Sequence, residues 1–575
     1  MKKLLIYLSE YKKESVLSPL FKLLEALFEL FVPLVVAQII DKGIAFGDYG
    51  YILKMCLLLL ALALIGLICS ITAQFFAAKA AVGFATKVRY ALFKHIQSLS
   101  HTEIDKTGVS TLITRMTSDI NQVQSGVNLF LRLFMRSPFV VFGAMIMAFS
   151  IDFKSALIFA AAIPVLGGVI FGIMLVTMPL YKKTQRKLDD ITLKTRENIT
   201  GVRVIRAFGM EDAETADFDD KNNSLIDMQK FVGRISAIMN PVTYVIINAA
   251  IIMLIHTGAV RVNLGILTQG QVVALYNYMS QILVELIKLA NMIITLTKAL
   301  ACGNRIQEVF EIENSIKDGT IDEGKDTKTA VEFENVAVMY SKGGETALEG
   351  VTFKAMQGET IGIIGGTGSG KTTLVNLIPR FYDVSAGSVK VNGTDVKEYS
   401  LKALRKKIGV VPQKAILFKG TIEKNLKWGG ENITKEMMDD AISAAQASEV
   451  VAGKGGYIGE VEQNGRNFSG GQLQRLTIAR ALAKKPEILI LDDSASALDF
   501  ATDAKLRSAI KNLEYNPTVF VVSQRASSVM YADKIIVLED GAVAGIGTHS
   551  ELLANCEVYS EIYYSQFPKE ETKNE

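Results

Sequence analysis

Three stretches of this chain carry no Asp, Glu, Lys or Arg for more than twenty residues: Met55 to Ala78, Ser155 to Tyr181 and Ile235 to Val260. A helix of that length crosses the ~30 Å hydrocarbon core of a bilayer, so these runs direct the chain into lipid. Three further apolar segments carry isolated charges: roughly 17–40 with Lys22, Glu25 and Glu29, roughly 129–151 with Arg132 and Arg136, and roughly 268–297 with Glu285 and Lys288. Six spans are therefore expected within a first domain over 1–310, at about 17–45, 51–95, 126–152, 155–200, 228–260 and 268–305. A lipid-facing charge is costly. The charged positions either lie where helices leave the bilayer or, for Glu25 or Glu29, face a water-filled cavity able to meet a cationic substrate.

Composition supports the membrane reading: of 575 residues, 49% are hydrophobic and 21% charged, and the mean hydropathy is positive. The net charge of +3 gives no basic footprint, so no nucleic-acid partner is expected. Cys56, Cys69, Cys302 and Cys556 are far apart and show no metal-ligand spacing. The start, Met-Lys-Lys and a short apolar run, is broken by Ser9 to Glu14 with no small-residue cleavage site, and reads as a cytoplasmic lead-in helix.

Loop charge sets the orientation. Segments 79–128 and 182–234 are rich in Lys and Arg, whereas Gly47 to Gly50 and Asp152 to Lys154 are very short connections. The basic segments, and with six spans both termini, are expected in the cytoplasm of a multi-pass protein of a bacterial plasma membrane. Both basic segments have helical periodicity and few breakers, so the helices should continue beyond the membrane. From Glu313 to Thr329 the composition turns polar, marking a linker over 311–328. Beyond it, over 329–575, Val/Ile-rich runs at Ile361–Ile364, Ile408–Val411, Ile488–Leu491, Val519–Val522 and Lys534–Leu538 alternate with helical stretches, an α/β pattern.

The run Gly365-Gly366-Thr367-Gly368-Ser369-Gly370-Lys371-Thr372 follows the first of these strands and opens a helix at Thr373. That context marks a phosphate loop of a P-loop NTPase. Glycines let backbone N–H groups surround phosphates, Lys371 can reach the β- and γ-phosphates of ATP, and the Thr372 hydroxyl can ligate Mg²⁺. Ile488 to Leu491 ends in Asp492-Asp493, carboxylates placed to hold Mg²⁺ and the attacking water.

Asn467-Phe468-Ser469-Gly470-Gly471-Gln472-Leu473-Gln474-Arg475 resembles the signature motif of ABC ATPases, and the whole chain resembles a half-size ABC exporter. The resemblance implies a six-helix transmembrane domain fused to an ATP-binding domain. It also implies that Tyr340 stacks on adenine, that Gln413 senses Mg²⁺ and the γ-phosphate, and that Ser496-Ala497-Leu498-Asp499 crosses a dimer interface. Glu462 to Gly465 lies where such exporters touch the cytoplasmic loops, although Gln463 and Asn464 depart from the usual acidic-basic-glycine run. By the same resemblance, short coupling helices are expected within Ser100–Asp119 and Ile199–Glu211. Two such domains sandwich two ATP molecules, so Ser469, Gly470, Gly471 and Gln472 would contact the ATP held by a second half-transporter.

Two positions depart from the family. Asp493 stands where a Glu acts as general base, about one methylene or ~1.5 Å short, and misplacement of ~1 Å can cost ~10²-fold in rate. Gln524 stands where a His holds the γ-phosphate, and an amide can donate a hydrogen bond but carries no proton charge. Together they resemble the weakly hydrolysing subunit of a heterodimeric exporter, whose partner would carry Glu and His there. Met-, Phe- and Leu-rich spans suit membrane lipid surroundings and a hydrophobic or amphiphilic small-molecule cargo. A homodimeric exporter and an ATP-gated regulatory subunit remain alternatives.

Overall fold

The computed structural model describes residues 2–325, 327–340, 346–430, 432–495 and 497–567, the side chains of Lys2 and Asn291 excepted. Asp326 of the expected linker and Ser496 lie outside the described residues. The chain divides into two compact units, Met1–Gln97 with Gly108–Ile312, and Ser98–Thr107 with Glu313–Glu575.

The first unit holds six helices long and apolar enough to cross a membrane, as the six-span reading expects: α1 Lys3–Ile44, α2 Tyr49–Ser98, α3 Val109–Ile151, α4 Phe153–Thr200, α5 Glu211–Asn263 and α6 Gln269–Phe310. Each runs for 42 to 53 residues. At ~1.5 Å per residue that is about twice a bilayer core, so every helix projects beyond the lipid. Several begin on side-chain caps. Asp48 Oδ1 accepts from Tyr51 N at 3.0 Å, Asp152 Oδ2 from Ser155 N at 2.8 Å, and Thr268 forms a capping box with Gln271. These caps explain how 47–50 and 152–154 turn the chain so abruptly.

Packing follows from side-chain size. The buried stripe of α2 contains Ala73, Ala77, Ala80, Ala81 and Ala85, which let neighbouring helices approach, while Leu57, Leu60, Leu64 and Ile71 remain exposed on the lipid side. Helix α6 lies against α1, α3 and α5, and α4 runs along α5. Tyr278 of α6 is fully buried and donates to Leu30 O of α1 at 2.6 Å.

The charged residues of the less apolar spans are joined inside this bundle. Arg136 of α3 is 7% exposed and donates to Glu285 of α6 and Glu29 of α1, each at 2.5 Å; Ser137 Oγ donates to Glu285 at 2.8 Å, and Lys288 lies 2.9 Å from the same carboxylate. Lys22 pairs with Glu25 at 2.5 Å and donates to Ser70 Oγ at 3.2 Å. Arg136 and Glu285 therefore neither reach water beyond the helix ends nor face lipid. They solve the desolvation problem by mutual pairing, while the Glu29 side chain remains 42% exposed.

In the second unit, β1 Thr329–Met339, β2 Thr346–Met356, β4 Ala386–Val391 and β5 Thr394–Asp395 form an antiparallel sheet in the order β2-β1-β4-β5. A six-stranded sheet has the order β12-β11-β3-β10-β9-β6, with β3 Thr360–Gly365, β6 Ile408–Val411, β9 Ile488–Asp492, β10 Thr518–Val522 and β11 Lys534–Glu539 parallel and β12 Ala542–Gly547 an antiparallel edge. The short pair β7 Gly420–Thr421 and β8 Glu460–Val461 completes the strands. The parallel strands are apolar at consecutive positions because both faces are covered. Ile361, Ile363, Ile488, Ile490, Phe520 and Val522 enter the core shared with the antiparallel sheet, whereas Ile364, Leu489, Leu491, Val519 and Val521 enter a second, helix-lined core. This arrangement puts the carboxyl ends of β3, β9 and β10 side by side.

Arg136→Leu is expected to destabilise the chain by ~3–5 kcal/mol by leaving two carboxylates without their guanidinium. The measurement is the denaturation midpoint of the full chain in detergent. Replacing Arg136, Glu29 and Glu285 together with apolar residues should recover more than half of the shift; equal midpoints for single and triple variants would refute this account.

Candidate nucleotide site

Strand β3 delivers the chain into a loop whose geometry needs glycine. A Cβ on Gly365 would sit 2.1 Å from Leu538 O, and Gly370 has φ +89 with a would-be Cβ 2.7 Å from Ala347 O. The loop turns into α7, Lys371–Leu377. Lys371 is 8% exposed, and its ammonium donates to Gly365 O at 3.0 Å, Gly366 O at 2.5 Å and Ser369 Oγ at 3.3 Å. Burial pulls its pKa below the ordinary lysine value, against the attraction of Asp492 and Asp493. An ammonium held by backbone oxygens at the mouth of the loop is suited to an incoming phosphate.

Asp492 ends β9 and is 5% exposed; Thr372 Oγ1 donates to its Oδ1 at 3.2 Å. Burial pushes the Asp492 carboxyl above its usual range, the charge of Asp493 adds to this, and the Thr372 bond and Lys371 oppose it. A hydroxyl and a carboxylate at this separation fit two positions around a hard divalent cation, for which oxygen ligands are the rule. Asp493 follows with φ +46, and its N–H donates to Val522 O at 2.9 Å. The left-handed backbone is one that Asp and Asn adopt more readily than longer side chains. Gln524, beyond the end of β10, is exposed.

A cavity of about 330 Å³ gathers these groups: Tyr340, Thr367, Gly368, Gly370, Lys371, Thr372, Thr373, Gln413, Asp492, Asp493 and Gln524 all line it. Gly365, Gly366 and Ser369 support it from within the loop. Ala347, Val522 and Ser523 also line it and were not singled out in the sequence; Ser523 could have been, since it links β10 to Gln524.

Ser469, Gly470, Gly471 and Gln472 stand apart from this lining and open α8, Gly470–Leu482. Gln472 N donates to Ser469 Oγ at 3.4 Å and Ser469 N to Gln472 Oε1 at 3.1 Å, a capping box. Ser469 and Gly470 are exposed, and nothing lies within 4 Å of a Cβ built on Gly470. Asp499, in the adjacent loop, caps the helix Phe500–Lys511 by accepting from Thr502 N at 2.8 Å.

Tyr340 has contacts that its sequence neighbourhood did not show. Its hydroxyl donates to Thr373 Oγ1 at 2.8 Å, and its ring meets Tyr382 edge-on with centroids 5.0 Å apart. Tyr382 OH in turn donates to Asp105 Oδ2 at 2.8 Å. Asp105 belongs to the short helix His101–Thr107, which packs as part of this second unit, and His101 lies 4.8 Å from the Phe381 ring.

Residues 15–286 match the ABC transporter transmembrane region family, and residues 348–496 match the ABC transporter family. The chain is 34% identical to the uncharacterized ABC transporter ATP-binding protein YfiB of Bacillus subtilis (strain 168), over 99% of both chains. It is 31% identical to the putative multidrug export ATP-binding/permease protein YgaD of the same organism, over 98% of this chain and 99% of the relative. Its fold matches that of a bacterial Atm1-family ABC exporter solved with ATP bound, with a TM-score of 0.80 at 21% identity, covering 98% of this chain and 99% of that one. The chain belongs to the ABC transporter family, as a half-size exporter with its transmembrane region and its ATP-binding domain on one polypeptide.

Proposed function

We propose that this chain is the weakly hydrolysing half of a heterodimeric exporter, set in a bacterial plasma membrane with both termini and the ATP-binding domain in the cytoplasm. The observation that carries this reading is that Asp493 and Gln524, the two residues that depart from the family, line the same cavity as Lys371, Thr372 and Asp492, while Ser469 to Gln472 do not. A site so composed is half of a complete one. The motif at the start of α8, with its exposed serine and open helix N-terminus, would serve the ATP bound by the other half-transporter.

Within this chain's own site, Tyr340 would stack on adenine, and the loop N–H groups from Gly366 to Thr372, with Lys371, would bind the phosphates. Thr372, Asp492 and Gln413 would hold Mg²⁺, and the hydroxyl–carboxylate contact between the first two fits that ligand set. When bound, the ion supplies charge neutralisation on the phosphate oxygens. Asp493 carries the carboxylate nearest the role of general base, with a reach about one methylene shorter than glutamate's. Gln524 can donate to the γ-phosphate but cannot share a proton with the base.

The cargo is proposed to be a hydrophobic or amphiphilic compound, consistent with the apolar spans and with the multidrug-export description of YgaD. ATP binding would draw two ATP-binding domains together and switch the helices between inward- and outward-open states. Tyr382 offers a direct route for this signal, since it touches Tyr340 with its ring and Asp105 with its hydroxyl.

Purified alone, the chain is expected to show little ATPase activity, and Asp493→Asn should leave that activity unchanged. In the paired transporter Ser469→Ala should reduce turnover more than ~10-fold and Asp493→Ala by less than ~3-fold, as the loss of a transition-state contact compared with a weak base would; the opposite ranking would defeat the heterodimer reading. Asp492→Asn removes a buried carboxylate whose raised pKa makes its ionised form unfavourable at neutral pH, a penalty that fades as pH falls through that pKa. The variant should therefore melt no lower than the parent without nucleotide, yet lose Mg²⁺-dependent ATP binding. Tyr382→Phe keeps the ring and removes the Asp105 bond, so ATP affinity should hold while vesicle transport per ATP hydrolysed drops. Unchanged coupling would exclude this route.

A further inference from the structure

The loop that carries Gln524 is held from an unexpected direction. Strand β10 ends at Val522, and Ser523, 2% exposed, anchors the next turn by donating its N–H to Ile363 O at 3.1 Å and accepting from Arg525 N through Oγ at 3.0 Å. The short helix Ala526–Val529 then begins with no side-chain cap from Arg525. Two backbone groups in this stretch, Gln524 O and Ala526 N, bond instead to one side chain 40 or more residues away. Gln566 Nε2 donates to Gln524 O at 2.8 Å, and Gln566 Oε1 accepts from Ala526 N at 2.8 Å. Only an amide with this orientation meets both demands, because the flipped one would oppose oxygen to oxygen and N–H to N–H.

The rest of the helix Glu557–Gln566 is well fixed. Tyr559 is fully buried with its hydroxyl 2.7 Å from His549 Nδ1, Tyr563 stacks on Phe567 at 5.0 Å, and the helix packs against β3 and β11. The amide at its last residue therefore reaches the loop from a rigid support. The same strand β3 feeds the phosphate loop, so the helix is referenced to both sides of the cavity.

We propose that Gln566 is a positioning residue for discrimination of ATP from ADP: its amide clamps Gln524 O and Ala526 N so that the Gln524 side chain faces the γ-phosphate. This rests on the reading above that Gln524 contacts that phosphate. It makes the C-terminal helix a part of the nucleotide site, through which any displacement of the chain's end would be felt at the γ-phosphate. ADP, which lacks that phosphate, should be indifferent to the clamp.

The test uses the full-length chain in its assembled transporter in nanodiscs, with 8-azido-ATP and 8-azido-ADP labelling of this chain as the probe. Gln566→Ala removes both bonds; Gln566→Glu keeps the acceptor for Ala526 N and loses the donor to Gln524 O. Each should weaken ATP labelling ~3–10-fold, the scale of one or two lost hydrogen bonds, with ADP labelling changed less than twofold. Gln524→Ala should produce the same selective loss, and adding Gln566→Ala to it should have less than twofold further effect. Equal losses for both nucleotides, no loss in either Gln566 variant, or additive losses in the double variant would overturn the clamp. If Gln524→Ala itself leaves the ATP-to-ADP ratio unchanged, the γ-phosphate role of Gln524 falls, and the proposal falls with it; if only the Gln566 variants are silent, the clamp alone falls.

Discussion

The ammonium of Lys371 is the constraint around which the ATP-binding domain is organised. It is buried, it donates hydrogen bonds to two carbonyls and a hydroxyl, and burial lowers its affinity for its own proton. A cation in that position is most stable when an anion joins it. Glycines at Gly365 and Gly370 let the backbone fold close around it, and the parallel sheet brings Asp492 and the Gln524 loop to the same edge. Binding energy from an anionic ligand would thus be felt as stability of the whole sheet edge.

The membrane unit meets the opposite problem. There Arg136 is also buried, but it has two carboxylates, Glu29 and Glu285, from helices on either side of it. A buried ion pair of this kind adds little net stability over apolar packing, yet it fixes which residues of α1, α3 and α6 oppose one another. The two buried cations differ accordingly: the Arg136 guanidinium is paired directly with carboxylates, whereas the Lys371 ammonium is bonded to neutral oxygens.

Sequence legibility followed the range of the interaction. The six spans and the α/β domain were readable because hydrophobic length and strand composition are local properties, and so was the phosphate loop, whose residues act within eight positions of one another. The partner of Arg136 was not readable, since Glu285 is 149 residues away. Nor was the Tyr382–Asp105 bond, which spans 277 positions, or the grip of Gln566 on Gln524. Charged residues in a hydrophobic span announce that they need partners without saying which; a surface tyrosine or glutamine announces nothing.

The ten residues Ser98–Thr107 belong to the second compact unit although they lie two hundred positions before the rest of it. This compact unit is therefore discontinuous in the chain. A fragment cut at Glu313, the natural choice from sequence, would leave Phe381 without His101 and the Tyr382 hydroxyl without Asp105. Such a fragment would have a wetted face where the full chain has a packed one. Nucleotide affinities measured on it would describe a compact unit from which one packed segment has been removed.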